Sequence, residues 1–296
     1  MNVKLGLLAL VAVGLLAVPC SVRTQEPSST GYAEVDGVRL HYRVFGQGDP
    51  LLLVHGFTNA GQIWDPFVDR LTANHSVIVP DLRGHGLSTN PSGEFTHRLA
   101  ARDLVGLLDA LGLESAAGIG HSSGAIALLD LALIAPERLT AMVLVDGAHR
   151  FPDETRASMA GADADVWLEA LPGLFEAALR WHAEGMPQLR RLAQQVRAFA
   201  ADPREGAHDS TELRGVQVPA LIVHGDRDEL YPVRLAFELY ELLPKAELWI
   251  MPDVSHAAFT GYQFEAEDQR CAACVAAGEQ FPSVVLAFLE RVRESS

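Results

Sequence analysis

Two adjacent serines, Ser122 and Ser123, stand in the stretch GIGHSSGAIALL, Gly118 to Leu129, where a short apolar run meets a glycine-bounded turn and then an apolar, helix-like segment. A serine hydroxyl is a poor nucleophile at neutral pH. It needs a histidine within hydrogen-bond reach to take its proton, and a carboxylate to fix that histidine's tautomer and orientation. The chain carries 11 histidines, so residue type alone says little. Position narrows the choice: His256, in PDVSHAAF, is the first histidine after the last strand-like run and sits in a loop. Among the aspartates that follow strand-like runs, Asp146 in VLVDG and both Asp226 and Asp228 in HGDRD are candidate acids. The turn itself separates the two serines. A nucleophile raised clear of a sheet sits on a sharp strand-to-helix reversal, and its neighbours two residues away must be small for the chain to double back. Gly120 and Gly124 meet that condition for Ser122, whereas Ser123 would be flanked by His121 and Ala125. The frame therefore selects Ser122 as the attacking hydroxyl and leaves His121 a structural role.

These residues need elements to hold them. From about residue 32 the chain alternates β-rich runs, namely LHYRVFG, LLLVHG, SVIVPD, SAAGIG, LTAMVLVD, ALIVHGD and AELWIM, with longer helix-patterned segments. Most of these runs are almost wholly apolar, as strands buried on both faces of a parallel sheet are, while LHYRVFG alternates as an edge hairpin would. The pattern predicts an α/β fold: a mostly parallel central sheet with helices on both faces and an antiparallel start. In such sheets ligands bind beyond the carboxyl ends of the strands, which is where the candidate residues stand. The rhythm breaks between Asp146 and Ala220, a stretch rich in Ala, Leu, Glu and Arg with no strand candidate. A connection of that length is a lid or small inserted domain. Residues 149–214 are accordingly read as a helical cap, inserted in a core of residues 32–148 and 215–296.

Five fragments, HGFT, DLRGHGLS, GHSSG, HGDRD and a late SHAAF, fall in that order at five strand ends, and together they resemble the α/β-hydrolase superfamily over roughly residues 32–294. The resemblance implies the α/β-hydrolase fold and a serine, acid, histidine order. The family spacing of glycine, two residues and then the acid matches Gly225 and Asp228, which implies Ser122 as nucleophile, Asp228 as acid and His256 as base. Asp226 would then stabilise its turn, as aspartates do, and Asp146 stays a third candidate because some members carry the acid there. The resemblance also implies an oxyanion hole from the amides of Phe57 and Ser123. For Ser123 this follows from geometry as well, since the residue after the nucleophile opens a helix whose first N–H groups are unpaired. The implied activity is cleavage of a small ester-like substrate through a covalent acyl-enzyme, with no cofactor and no metal. Carbon–carbon bond or amide hydrolysis on the same triad is one alternative, and a non-catalytic ligand-binding protein on a hydrolase scaffold is another. Serine at the elbow sets the chain apart from haloalkane dehalogenases and epoxide hydrolases, which use aspartate there. Arg83 is expected to pair with a nearby carboxylate. In the cap, Trp167, Leu174, Phe175, Trp181 and Met186 are either pocket walls or the cap's own core.

Composition bounds the remainder. A chain of 296 residues, 49% hydrophobic and 21% charged, has the makings of a folded protein with a sizeable core. A net charge of -15 argues against nucleic acid as a partner, because phosphate binding needs a positive field. After Lys4, an uncharged run from Leu5 to Pro19 is too short to span a bilayer comfortably and suits the core of an export signal. Residues 1–20 are read as a signal peptide, and the protein as exported to the periplasm or secreted. Membrane contact is expected only through a lipid anchor at Cys20, where Pro19 replaces the small residue such sites usually carry. Cys271 and Cys274, in RCAAC, are read as a local disulfide or an incidental pair; a zinc site would need a second ligand pair. No role is assigned to Tyr262–Gly278.

Overall fold

The computed structural model describes residues 25–170, 172–256 and 272–295. The leader with Cys20, and Cys271 with the loop after His256, lie outside the described residues. The apolar runs become strands β3 (Asp49–Val54), β4 (His75–Pro80), β5 (Ala116–His121), β6 (Leu139–Val145), β7 (Ala220–Gly225) and β8 (Ala246–Met251), preceded by β1 (Ser29–Val35) and β2 (Val38–Gly46). They form one sheet in the order β1-β2-β4-β3-β5-β6-β7-β8. The pairs β1–β2 and β2–β4 are antiparallel, and every other pair is parallel. The edge strand is β1 rather than LHYRVFG, which lies one strand inward as β2. Only Ala33 and Val35 of β1 are buried, so that strand carries almost no apolar signal in the sequence.

The period of two along each strand divides its side chains between two cores. Leu52, Val54, Met142, Leu144, Ala220 and Ile222 enter one, which helices α2 (His97–Ala110) and α3 (Ser123–Ile134) cover. Leu51, Leu53, Val143, Val145, Leu221 and Val223 enter the other, covered by α1 (Asp65–Leu71) and by the helix Ala272–Ser295 through Phe67, Phe281, Val285 and Phe288. Helix α3 is buried from Ser123 to Ala132, which explains why its sequence is apolar on all sides.

Between β6 and β7 come helices α4 (Asp153–Ala160), α5 (Ala164–Ala170), α6 (Pro172–Trp181), α7 (Met186–Ala201) and α8 (Ser210–Gly215). Phe175, Ala178, Leu189 and Ala193 make a small core of their own, with Trp167 stacked on Phe175 at 5.3 Å between ring centroids. Trp167, Phe175 and Met186 therefore fill the cap's interior rather than wall a pocket, and Trp181 packs against the second sheet core. The Leu174 side chain lies outside the described residues.

The loop after β4 is held by two carboxylates. Asp81 accepts from the amides of Gly61 at 2.8 Å and Leu87 at 3.0 Å and pairs with His41 Nδ1 at 2.9 Å. Arg83 donates two hydrogen bonds to Asp103 on α2, both 2.6 Å, and both side chains are buried. Removing one partner of such a pair strands the other's charge without water. Arg83→Met is expected to cost about 3–5 kcal/mol in chemical denaturation, whereas an exposed pair would cost under about 1 kcal/mol.

Candidate active site

Ser122 links β5 to α3 with φ 53° and ψ -118°, in the left-handed half of backbone space that a side chain seldom occupies. The surrounding glycines explain how the strain is held. A Cβ on Gly120 would lie 2.4 Å from the Gly124 carbonyl oxygen, and one on Gly124 would lie 2.3 Å from the Val54 carbonyl oxygen. Strand β5, the start of α3 and the end of β3 thus approach at distances only hydrogen side chains allow. Ser122 N–H donates to Val145 O at 2.8 Å, which ties the elbow to β6 as well. Ser123 lies within the helix proper, so the raised position belongs to Ser122.

The three residues selected in the sequence meet at this elbow. His256 Nε2 is 3.0 Å from Ser122 Oγ, and His256 Nδ1 is 2.8 Å from Asp228 Oδ2. With the ring neutral, Nδ1–H donates to Asp228 and Nε2 is left to accept the serine proton. The other oxygen of Asp228 accepts from the amides of Leu230 at 2.9 Å and Tyr231 at 2.7 Å, which fixes the carboxylate plane. Burial alone would drive the His256 imidazole toward neutrality; the Asp228 carboxylate, by charge and hydrogen bond, outweighs it and raises the group to about 9. Burial likewise works to raise Asp228, and the charges of His256 and His224 with the Tyr231 amide outweigh it, so its carboxyl lies below the ordinary value.

The other two aspartates are placed elsewhere. Asp226 accepts from the amide of Asp253 at 2.6 Å, joining the loops after β7 and β8. Asp146 is fully buried at the end of β6, at φ 47°, and accepts from the Gly225 amide at 2.9 Å. Burial raises its carboxyl, with the nearby Asp228 charge acting in the same direction. His224 Nε2 donates to the Tyr231 carbonyl at 2.7 Å beneath the triad. His121 is buried with its ring 5.1 Å from that of His256, and burial holds it well below the ordinary imidazole value.

For the oxyanion, the residue after Ser122 begins α3, and the first bond of the helix runs from Ile126 N to Ser122 O, so the Ser123 amide precedes the helical ladder. The Phe57 loop reaches the elbow through Gly56, where a Cβ would stand 3.2 Å from Ser122 Cβ and 2.7 Å from the His121 ring. The Phe57 ring packs edge-on against Phe95 and Phe199, each at 4.9 Å, while Phe151 stacks on Tyr231 at 5.8 Å and Tyr231 meets the His256 ring at 5.3 Å. Sequence reasoning did not find Phe95, Phe151, Phe199 or Tyr231. They come from four separate segments, and aromatic type alone does not distinguish them from core residues.

Among the described residues, two sets of donors gather within 4.8 Å, His121 with Asp146 and His256, and Asp146 with His224 and Asp228. Both His256 ring nitrogens are already bonded to Ser122 and Asp228, and the carboxylates of Asp146 and Asp228 are occupied by backbone amides.

Residues 51–273 match the model of the Alpha/beta hydrolase family. Among the relatives, RutD of a Caulobacter species, a proposed carbamate hydrolase, is 32% identical and aligns over 86% of this chain and 96% of its own. A pimeloyl-[acyl-carrier protein] methyl ester esterase of Vibrio parahaemolyticus is 29% identical over 74% of this chain and 92% of its own. The enol-lactonase of Burkholderia xenovorans superposes with a TM-score of 0.69, at 24% identity over 88% of this chain and 99% of its own.

The contrast between Asp228 and Asp146 is open to measurement. Asp228→Asn is expected to lower kcat by about 10³- to 10⁴-fold by allowing the wrong histidine tautomer. Asp146→Asn keeps an acceptor for the Gly225 amide and is expected to hold kcat within about tenfold, a loss of under ~1.4 kcal/mol. The reverse ranking in steady-state ester hydrolysis would transfer the acid's role to Asp146.

Proposed function

The chain belongs to the alpha/beta hydrolase family, and we propose that it is a serine hydrolase that cleaves carboxylic esters through a covalent acyl-enzyme on Ser122. The observation that carries this reading is the continuous line of hydrogen bonds from Ser122 Oγ through His256 to Asp228, with the serine raised on a strained elbow. His256 Nε2 takes the serine proton as Oγ attacks the ester carbonyl. The oxyanion that forms is held by the amides of Phe57 and Ser123. Collapse breaks the bond to the alkoxy group, which leaves as the alcohol with the proton from His256. Water then attacks the acyl-enzyme, giving its proton to His256, and the carboxylic acid is released as Ser122 recovers its hydrogen. Asp228, below its ordinary value, stays charged and steadies the imidazolium in both halves of the cycle.

Of the relatives named above, one is by its name a methyl ester esterase and another a proposed carbamate hydrolase, and both reactions require attack on an acyl carbon. We also propose that residues 1–20 direct export; fractionation of cells and the mass of the mature chain test that, with an intact amino terminus retained in the cytosol as the contrary result.

A fluorophosphonate probe is expected to label the native protein and to leave Ser122→Ala unlabelled, with kcat on short aryl esters falling by about 10⁴-fold or more. Unlabelled native protein would end the serine hydrolase reading. Faster turnover of amides or vinylogous diketones than of esters would move the activity to amide or carbon–carbon bond cleavage, and tight ligand binding with no product burst would indicate a binding protein. Because only neutral His256 can accept the proton, the profile of kcat/KM is expected to rise with pH up to about 9 and level off above it. A profile that already levels off near pH ~7.5 would show that Asp228 does not hold the imidazolium in the free protein, since an unperturbed histidine titrates near ~6.5.

A further inference from the structure

A second serine–histidine–carboxylate chain starts from the neighbouring residue of the same turn. Ser123 Oγ lies 3.0 Å from His97 Nε2, and His97 Nδ1 lies 2.6 Å from Glu205 Oε2. Ser123 and His97 are buried, and the Glu205 side chain is 13% exposed. With the ring neutral and Nδ1–H donating to Glu205, Nε2 is left to accept from the Ser123 hydroxyl. The arrangement does not make Ser123 a second nucleophile. Its backbone is the first turn of α3, and the raised elbow conformation is that of Ser122.

The hydroxyl matters for what stands beside it. The Ser123 N–H is one of the two amides that acyl transfer requires for its oxyanion, and it lies ahead of the first intrahelical bond. A serine in that position has a competing option, because its hydroxyl can hydrogen-bond to adjacent backbone groups and draw the local peptide units out of alignment. His97 removes the option by accepting the hydroxyl proton. His97 itself cannot swing away: Phe199 packs at 5.2 Å from its ring, Phe95 at 5.8 Å and Phe151 at 6.0 Å.

Glu205 is anchored by the cap. It lies in the segment returning from α7 to α8, and the Arg156 guanidinium of α4 donates to the carbonyls of Glu205 at 2.8 Å, Asp202 at 2.9 Å and Phe199 at 3.0 Å. A second tie follows a few residues on, where His208 Nε2 lies 3.4 Å from Asp130 Oδ1, further along the same helix α3. The return segment of the cap is therefore bonded to α3 at its first residue, through His97, and again in its interior.

We propose that Ser123, His97 and Glu205 form a positioning relay, through which the cap's return segment aligns the Ser123 amide for the oxyanion; this rests on the acyl-transfer reading above. None of the three side chains meets the reacting atoms. Because the oxyanion exists only in the transition state, losing the relay falls on kcat and spares KM.

Glu205→Ala is expected to lower kcat on an aryl ester by about 10- to 100-fold, the range a small misplacement of a catalytic group produces, with KM within about twofold. Glu205→Gln keeps an acceptor for His97 Nδ1–H and is expected to recover most of that loss. Ser123→Ala is expected to lose several-fold in kcat, and adding Glu205→Ala to it is expected to cost nothing more, because the relay then has nothing to align. Circular dichroism of each variant checks the fold, and Ser123→Ala with Glu205→Gln carries the test if Glu205→Ala does not fold. A kcat within twofold of native in Glu205→Ala, or a double variant at least as impaired as Glu205→Ala alone, would overturn the relay. Fluorophosphonate labelling of the native protein separates the two ideas: labelled protein with an unaffected Glu205→Ala kcat sinks the relay alone, and unlabelled native protein sinks both.

Discussion

The site depends on one steric constraint, the contact of three backbones at Gly120, Gly124 and the Val54 carbonyl. A helix that begins directly off a buried strand must turn within a residue or two. The turn here is possible because neither glycine adds a Cβ where the neighbouring carbonyl oxygen stands 2.3 to 2.4 Å away. Ser122 bears the strain with its φ of 53°, and the cost, on the order of 1–3 kcal/mol for such a residue, is met by the burial of β5 and α3 on either side. Both adjacent roles follow from that turn. It raises one hydroxyl above the sheet and leaves the next residue's amide at the start of a helix.

A second constraint separates two carboxylates that lie close together below the site. Asp146 and Asp228 are both buried, so both cannot hold charge without compensation. Asp228 has the cationic partner and two amides, and its carboxyl is lowered; Asp146 has one amide and the Asp228 charge nearby, and its carboxyl is raised. Two aspartates at comparable strand ends thus have carboxyls shifted in opposite directions. The difference arises from partners supplied by the loops after β7 and β8.

The residues legible in the sequence are those fixed by position along a strand. Ser122 and Asp228 each follow a buried strand and His256 follows the half-buried β8, so a one-dimensional pattern locates them, and the glycine spacing even distinguishes Ser122 from Ser123. What the sequence hides depends on three-dimensional pairing. Strand β1 has only two buried residues and reads as a loop. Phe175 and Trp167 have the composition of pocket walls, but α5 and α6 turn them toward each other. His97 and Glu205 are 108 residues apart, and no local spacing connects a histidine at the start of α2 with a glutamate in the cap.

The manner in which the cap is attached bears on how the pocket keeps its shape. His182, at the end of α6, accepts from the Gly86 amide through Nδ1 and donates from Nε2 to the Thr58 carbonyl, both at 2.9 Å. Gln188 on α7 donates to the carbonyls of Gly84 and Gly86. Both side chains are buried, and their partners are backbone groups of the loops that carry Phe57 and Arg83. Apolar burial is non-directional and tolerates sliding, whereas these bonds weaken steeply once distance or angle departs from a narrow range. A cap fastened to the strand-end loops in this way has one well-defined seat, and the Phe57 loop and the cap cannot move independently without breaking buried hydrogen bonds, each costing about 1–3 kcal/mol when a partner is left unsatisfied.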